Sequence, residues 1–121
     1  MSAPNPGERE AYVPDVGHIV WLSLDPQRGR EQAGRRPFLV LSPRAYNEKT
    51  SLAVGVPVTS ARKGYPLEVA LPEGGRVIGV ALADHVKSLD WRTRLADFAE
   101  DASAATLRDV RTLIATLLDD S

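Results

Sequence analysis

The sequence has no cysteine and only two histidines, His18 and His85, among its 121 residues. Without cysteine the chain can form neither a disulfide nor a thiolate, which fits a cytoplasmic protein. The two histidines are far apart in the sequence, and no H-E-x-x-H motif or carboxylate-dense loop accompanies them, so we expect no metal site. No G-x-G-x-x-G, G-x-x-x-x-G-K-[ST] or G-x-S-x-G motif occurs either. We therefore expect no cofactor and no serine nucleophile elbow.

Long apolar runs and aromatic residues are also scarce. No apolar run approaches the roughly 18 residues that a membrane span needs, and the first ten residues, MSAPNPGERE, lack the basic and apolar regions of a signal peptide. These absences predict a cytoplasmic protein with no membrane partner. Aromatic residues make up 6% of the chain, which is too few for the aromatic-lined groove of an SH3-type interaction module. That function is therefore disfavoured.

Charge is balanced over the whole chain but not along it. The net charge is −1, whereas residues 28–63 contain eight Lys or Arg and two Glu, and residues 64–121 contain six basic and ten acidic residues. This asymmetry allows a basic face that binds an anion. The alternative is that the arginines only solvate loops, and charge alone does not separate the two interpretations.

The pattern of apolar residues predicts a mainly β domain after a short lead-in. Residues 1–12 are rich in Pro, Gly, Ala and Glu and have no period, so we expect a flexible segment there and a single domain over 13–121. The RAYNEKT segment predicts a helical turn with Pro43 at its start, and PEGG predicts a tight hairpin. Five short apolar segments rich in β-branched residues predict strands at 18–24, 38–42, 52–59, 67–71 and 77–83.

The C-terminal segment has the period of a helix. Ser103 is the expected N-cap, and Asp119-Asp120 opposes the helix dipole, so we expect the last turn to fray. Five or six closely spaced strands and one terminal helix predict a small, strongly bent antiparallel barrel capped by that helix. Apolar residues recur every three or four positions on one helical stripe at Leu107, Val110, Ile114, Leu117 and Leu118.

Two loops are expected to meet at one end of this barrel. Arg36 precedes Pro37, which favours an extended backbone, and Gly34 permits a sharp turn before it. The second loop follows the strand that ends at Thr59 and contains Ser60 and Lys63. An arginine with nearby hydroxyls is a good receptor for a phosphate.

If that phosphate belongs to RNA, the neighbouring 2′-hydroxyl can serve as the nucleophile, and the protein needs neither a nucleophile nor a metal. Arg36 would then stabilise charge on the pentacoordinate phosphorus, and Glu31 is the nearest candidate base. The alternative is that Glu31 and Arg36 form a surface ion pair worth only ~0–1 kcal/mol.

At these residues the sequence resembles a known family. The segment PDVGHIVWLSLDPQRGREQAGRRPFLVLSPRAYNEKT, then VPVTSARKGYPLEV, then GVALADHVKSLDWRTR, is similar to the MazF/PemK family of type II toxin–antitoxin endoribonucleases. The motifs are G-x-[IV]-x-W, D-P-x-x-G-x-E-Q-x-G-x-R-P, V-P-x-T-[ST] and K-G-Y-P, in that order. The resemblance covers about residues 12–94.

The resemblance implies an SH3-like barrel of the CcdB/MazF type that acts as a homodimer. It also implies metal-independent cleavage of single-stranded RNA, including mRNA, at an ACA-like core, leaving a 2′,3′-cyclic phosphate and a 5′-hydroxyl. A MazE-like antitoxin with an acidic C-terminal segment is the expected protein partner. The family's catalytic residues correspond to Arg36, Thr59 and Glu31. We expect RNA contacts from Arg28, Gln32, Arg35, Ser60, Lys63 and His85.

Several of these assignments have alternatives. Arg35 could instead contact the backbone or the antitoxin, and His85, which stands where MazF-like proteins often have Gln, could simply close a strand. Arg30 and Leu82 replace a His and an Arg typical of the PemK-like branch, so we assign the chain to the MazF-like branch. The competing function is a non-enzymatic toxin on the same fold, a gyrase poison of the CcdB type.

Overall fold

The computed structural model describes residues 12–23 and 34–119. The expected lead-in, except for its last residue, therefore lies outside the described residues. The described part contains a seven-stranded sheet and two helices. The strands are β1 (His18–Ser23), β2 (Arg35–Val40), β3 (Leu52–Thr59), β4 (Glu68–Ala70), β5 (Val80–Leu82), β6 (Lys87–Asp90) and β7 (Asp97–Asp101), and the helices are α1 (Arg44–Thr50) and α2 (Ala104–Leu118).

The strands pair antiparallel in the order β4-β5-β3-β2-β1-β7, and β6 also pairs with β3. The long strand β3 has β2 on one edge. On its other edge β6 pairs with its first half and β5 with its last two residues. Two different strands thus share one edge of β3, and the sheet bends between them. The mainly β class with a C-terminal helix is confirmed.

Both faces of the sheet are covered, which explains the continuous apolar runs in the sequence. On one face, Ile19 and Leu39 belong to a core cluster that includes Val110 of α2. On the other face, their neighbours Val20 and Val40 pack in a second cluster around Trp91. Trp91 is only 4% exposed, and its Nε1–H donates to a backbone carbonyl in α1 at 2.9 Å. Its burial assigns it to the core.

The structure corrects several expected strand boundaries. Strands β6 and β7, with the polar sequences KSLD and DFAED, were not predicted, because their apolar content is low and they are held by pairing with β3 and β1. The PEGG segment is not a tight hairpin, since it lies inside a nine-residue connection between β4 and β5. Strand β5 starts at Val80 rather than at residue 77, because residues 77–79 belong to that connection.

Both predicted helices are present. Helix α1 begins after Pro43 and ends at Thr50, and the next residue, Ser51, has a left-handed backbone conformation. The Ser103 side chain caps α2 by accepting a hydrogen bond from the Thr106 backbone amide at 3.0 Å, as predicted. The predicted apolar stripe is buried only in the first part of α2, since Leu117 and Leu118 are exposed.

Candidate active site

The strand ends that flank the two loops expected to form a cleft lie at the same end of the sheet, here called the active-site edge. Strand β1 ends there at Ser23, which pairs with Arg35 at the start of β2. Strand β3 ends there at Thr59, which pairs with Val80 at the start of β5. Four strand ends therefore hold the residues of this edge in fixed relative positions.

The register of β2 and β3 indicates that Arg36 and Thr59 project from the same face of the sheet. The recorded pairs run from Val40 with Gly55 to Phe38 with Pro57, and continuing this register by two residues sets Arg36 opposite Thr59. Opposed residues of an antiparallel pair project from the same face, with Cβ atoms about 4.5–5.5 Å apart where the ladder is regular. Arg36 is exposed, and its Nη1 donates to the Arg35 carbonyl at 2.9 Å. That bond holds the guanidinium close to the strand end.

Thr59 is fixed by its own turn and by a glycine. Its Oγ1 accepts a hydrogen bond from the Ala61 amide at 3.0 Å, a bond that leaves the hydroxyl hydrogen available to donate. Behind it, Gly79 has a φ of +126°, and a Cβ on Gly79 would lie 2.1 Å from the Thr59 carbonyl oxygen. Only glycine lets the chain approach Thr59 so closely.

The residues 60–67 that follow Thr59, here called the 60–67 loop, contain the exposed Ser60 and Lys63. The Glu68 carboxylate at the start of β4 accepts hydrogen bonds from the amides of Lys63 and Gly64, both at 2.9 Å. The loop is also fastened at Tyr65, whose hydroxyl donates to Asp84 Oδ1 at 2.9 Å. This bond raises the pKa of Tyr65 above its ordinary value, because the carboxylate holds the hydroxyl proton.

His85 lies beside this last contact. Its Nε2 is 3.7 Å from Asp84 Oδ1, and its side chain is 47% exposed. Asp84 therefore links the His85 ring to Tyr65 of the 60–67 loop. This position is compatible with an RNA contact by His85, and also with a polar residue that follows strand β5.

Arg35 does not lie where an RNA contact is expected. Its side chain is 7% exposed, and its Nη2 is 2.6 Å from Asp97 Oδ2. The guanidinium also donates to Ser23 Oγ at 2.8 Å and to the Leu95 carbonyl at 2.9 Å. Through these bonds the buried Arg35 side chain of β2 links β1 to the start of β7. The prediction that Arg35 contacts RNA is therefore corrected, because its donors are committed to the protein.

Three predicted site residues, Glu31, Arg28 and Gln32, lie outside the described residues. The described residues on either side of them, Ser23 and Gly34, are both at the active-site edge. Within residues 12–23 and 34–119, no group of three or more His, Asp or Glu side chains is arranged to hold a metal ion.

Sequence reasoning missed four residues that shape this site. Gly79 had a usable signal, because an isolated glycine in an apolar strand pattern indicates a close backbone approach. Glu68 had none, since it occupies an ordinary polar position of the LEVAL segment. The contact between Tyr65 and Asp84 joins residues 19 positions apart, and no local pattern predicts it.

Known proteins match most of this chain in sequence. Residues 15–118 match the family described as PemK-like, MazF-like toxin of type II toxin–antitoxin system. The chain is 55% identical over 83 residues to the endoribonuclease toxin MazF of Escherichia coli K12, covering 69% of this chain and 74% of that protein. It is 36% identical over 106 residues to the endoribonuclease PemK of Escherichia coli, covering 84% and 80%.

A solved structure is similar over most of its length. The crystal structure of MazE–MazF (Form-II) from Deinococcus radiodurans matches with a TM-score of 0.80 and 52% identity, covering 88% of this chain and 96% of the matched chain. The expected fold of the MazF type is thereby confirmed.

Proposed function

Because this chain belongs to the PemK-like, MazF-like toxin family of type II toxin–antitoxin systems, we propose that it cleaves single-stranded RNA at a short sequence with an ACA-like core. It is an endoribonuclease of that family, and the non-enzymatic alternative has no comparable support. The observation that supports the proposal is the register of β2 and β3, which is recorded as far as Phe38 and Pro57 and whose continuation by two residues would set the exposed Arg36 opposite Thr59. A guanidinium and a hydroxyl on one face suit a phosphodiester.

The proposed reaction uses the RNA's own nucleophile. The 2′-oxygen bonds to the adjacent phosphorus while the bond from phosphorus to the 5′-oxygen of the next nucleotide breaks. The 2′-hydroxyl gives up one proton and the departing 5′-oxygen gains one. The products are a 2′,3′-cyclic phosphate and a 5′-hydroxyl, with no water consumed.

Arg36 and Thr59 would act on the charge that develops at phosphorus. The guanidinium can donate two parallel hydrogen bonds to the non-bridging oxygens, and Arg stays protonated at any physiological pH, so it stabilises charge rather than moving a proton. The Thr59 hydroxyl, which already accepts from Ala61, would donate to the same phosphate. Donors fixed before the reaction lower the barrier most.

Proton transfer is assigned to Glu31 on the family resemblance. A carboxylate can take the 2′-hydroxyl proton if it lies within hydrogen-bond reach of it, and such a group typically contributes ~10²–10⁴-fold.

The proposal is tested by sequencing the RNA ends that the purified protein leaves on a long, unstructured transcript. We expect cuts clustered at an ACA-like sequence, downstream fragments that a polynucleotide kinase labels without prior dephosphorylation, and upstream fragments ending in a cyclic phosphate. Cleavage should be unchanged in EDTA, because the proposed step needs no Lewis acid. Random cut sites, 5′-phosphate ends or loss of cleavage in EDTA would each contradict the proposal.

Replacing Gly79 with alanine should lower the rate of RNA cleavage as well as the stability of the fold. The positive φ alone costs about 1–3 kcal/mol in the free energy of unfolding. The new Cβ would meet the Thr59 carbonyl, and a displacement of about 1 Å at a reacting group can lower the rate roughly 10²-fold. Cleavage rate and urea unfolding measure the two effects separately.

Gly74 provides the matched control for this prediction. It has a φ of +89° in the same connection, but a Cβ there meets nothing within 4 Å. Gly74→Ala should therefore show the stability loss without the loss of cleavage. Equal cleavage rates in Gly74→Ala and Gly79→Ala would contradict the role given to Gly79.

The proposed protein partner is a MazE-like antitoxin. The solved MazE–MazF complex supports an antitoxin partner for this chain, and the excess of basic residues over 28–63 suits an acidic segment competing with RNA.

We also propose a homodimer, which sedimentation equilibrium would test, and a cytoplasmic location. No helix in the described part of the chain is long and apolar enough to cross a membrane.

A further inference from the structure

Glu68 holds the 60–67 loop from outside it. Its two carboxylate oxygens accept from two consecutive amides, Oε2 from Lys63 and Oε1 from Gly64, each at 2.9 Å. Hydrogen bonds to an ionised acceptor are roughly twice as strong as neutral ones. Glu68 itself is anchored, because it pairs with Leu82 in β5, which in turn pairs with β3.

The loop has little else to fix the middle of its backbone. Residues 61–64 are exposed and belong to no helix or strand. Thr59 fastens the start of the loop through Ala61, and Asp84 fastens its end through Tyr65. Between these two points, the Arg62 amide donates to the Ser60 carbonyl at 3.0 Å, and the bonds that the Lys63 and Gly64 amides donate to Glu68 fix the backbone of Lys63.

The negative charge of Glu68 allows two opposite predictions for its effect on RNA binding. A carboxylate beside a surface that binds RNA repels phosphate and lowers affinity, so a purely electrostatic view predicts that removing it improves binding. Its two oxygens, however, are both used to fix the backbone at Lys63, whose ammonium can contact a phosphate. The geometry favours a positioning role that outweighs the repulsion.

We propose that Glu68 is a positioning residue for RNA binding, which fixes Lys63 in the loop that follows Thr59. This inference rests on the proposed function. Glu68 touches neither the reacting atoms nor the RNA. It acts through the backbone of Lys63 by lowering the number of conformations that the loop must give up when RNA binds.

The first experiment compares Glu68→Gln with Glu73→Gln in steady-state cleavage of a short single-stranded RNA. Both changes remove one negative charge, and Glu73 is exposed in the connection between β4 and β5. We expect Glu68→Gln to raise KM roughly 5-fold, the cost of ordering a flexible cationic side chain, with kcat within about 2-fold. Glu73→Gln should leave KM unchanged or lower it. A KM for Glu68→Gln equal to or below that of the wild type would overturn the proposal.

Lys63→Ala tests the route through the lysine. If Glu68 acts by placing Lys63, the double variant Glu68→Gln/Lys63→Ala should have the same KM as Lys63→Ala alone. Both single variants should also reduce the slope of log KM against log salt by about 0.7, the value for one phosphate contact on a single strand. Additive effects on KM would overturn the route through Lys63.

Hydrogen exchange of the Lys63 and Gly64 amides tests the contact without RNA. Both amides should exchange faster in Glu68→Gln than in the wild type and Glu73→Gln, while amides of β3 remain unchanged. Equal exchange at these two amides would overturn the inference. A wild-type protein that shows the protected amides but cuts no RNA would instead refute the proposed function, so the two failures are distinguishable.

Discussion

Replacing Arg36 with alanine is expected to lower the single-turnover rate of RNA cleavage by about 10²–10³-fold, the usual cost of removing one fixed donor from a developing oxyanion. Arg36 is exposed at the start of β2, and its guanidinium donates to the Arg35 carbonyl of its own strand. The free energy of unfolding should therefore change little. The loss should appear in the rate at saturating RNA rather than in binding alone.

Arg36→Lys is the matched variant for this prediction. It keeps the positive charge but loses the planar fork that donates two bonds to one phosphate. We expect it to bind RNA nearly as well as the wild type and to cleave it much more slowly. If Arg36→Ala cleaves at the wild-type rate, or if it fails only because it unfolds, the role assigned to Arg36 is wrong.

The core strands could be predicted from sequence because local pattern decides them. Strand β3 was expected at 52–59 and is found there, since its β-branched residues Val56 and Val58 are buried in the core cluster on one face of the sheet. Strands β6 and β7 could not be predicted, because KSLD and DFAED have almost no apolar period. Pairing with β3 and β1 forms them, and tertiary contacts of this kind override weak local preference.

The site was predictable where a residue is marked by its neighbours in sequence. Pro37 indicated the extended backbone at Arg36, and the end of an apolar strand indicated Thr59. The roles of Glu68 and Gly79 depend on contacts made across the fold, to the 60–67 loop and to Thr59. The sequence context of Glu68 is that of an ordinary strand residue, whereas the isolated Gly79 indicates a close backbone approach but not that Thr59 is the residue approached.

The alternation of side chains along β2 gives the adjacent residues Arg35 and Arg36 different roles, Arg35 in stability and Arg36 in the proposed reaction. Successive side chains of β2 point to opposite faces, so Arg36 reaches the face of Thr59 while Arg35 enters the sheet beside Ser23 and Asp97. A sequence motif containing both residues cannot assign these roles. The register of β1, β2 and β3 assigns them. Substitutions of Arg35 and of Arg36 can therefore be compared, because one should lower stability and the other should lower the cleavage rate.

Replacing Arg35 with alanine should therefore destabilise the fold. The guanidinium of Arg35 bonds Ser23 Oγ, the Leu95 carbonyl and Asp97 Oδ2, and these groups would lose their donor. Removing one partner of a fully buried ion pair costs about 3–5 kcal/mol. Because the Asp97 side chain is 47% exposed and water can replace part of the loss, we expect about 2–3 kcal/mol here. Urea unfolding measures it as a lower midpoint with an unchanged slope.

Arg35→Met separates the lost charge from the lost volume. Methionine refills the space of the buried stem without a charge to satisfy, so it should recover part of the stability that Arg35→Ala loses. At a temperature where each variant is folded, both should cleave RNA at close to the wild-type rate, in contrast to Arg36→Ala. If Arg35→Ala instead unfolds at the wild-type urea midpoint and raises KM for RNA, Arg35 contacts RNA after all. The buried geometry predicts the opposite result, because a guanidinium that already donates to three groups inside the sheet could reach a phosphate only by breaking those bonds.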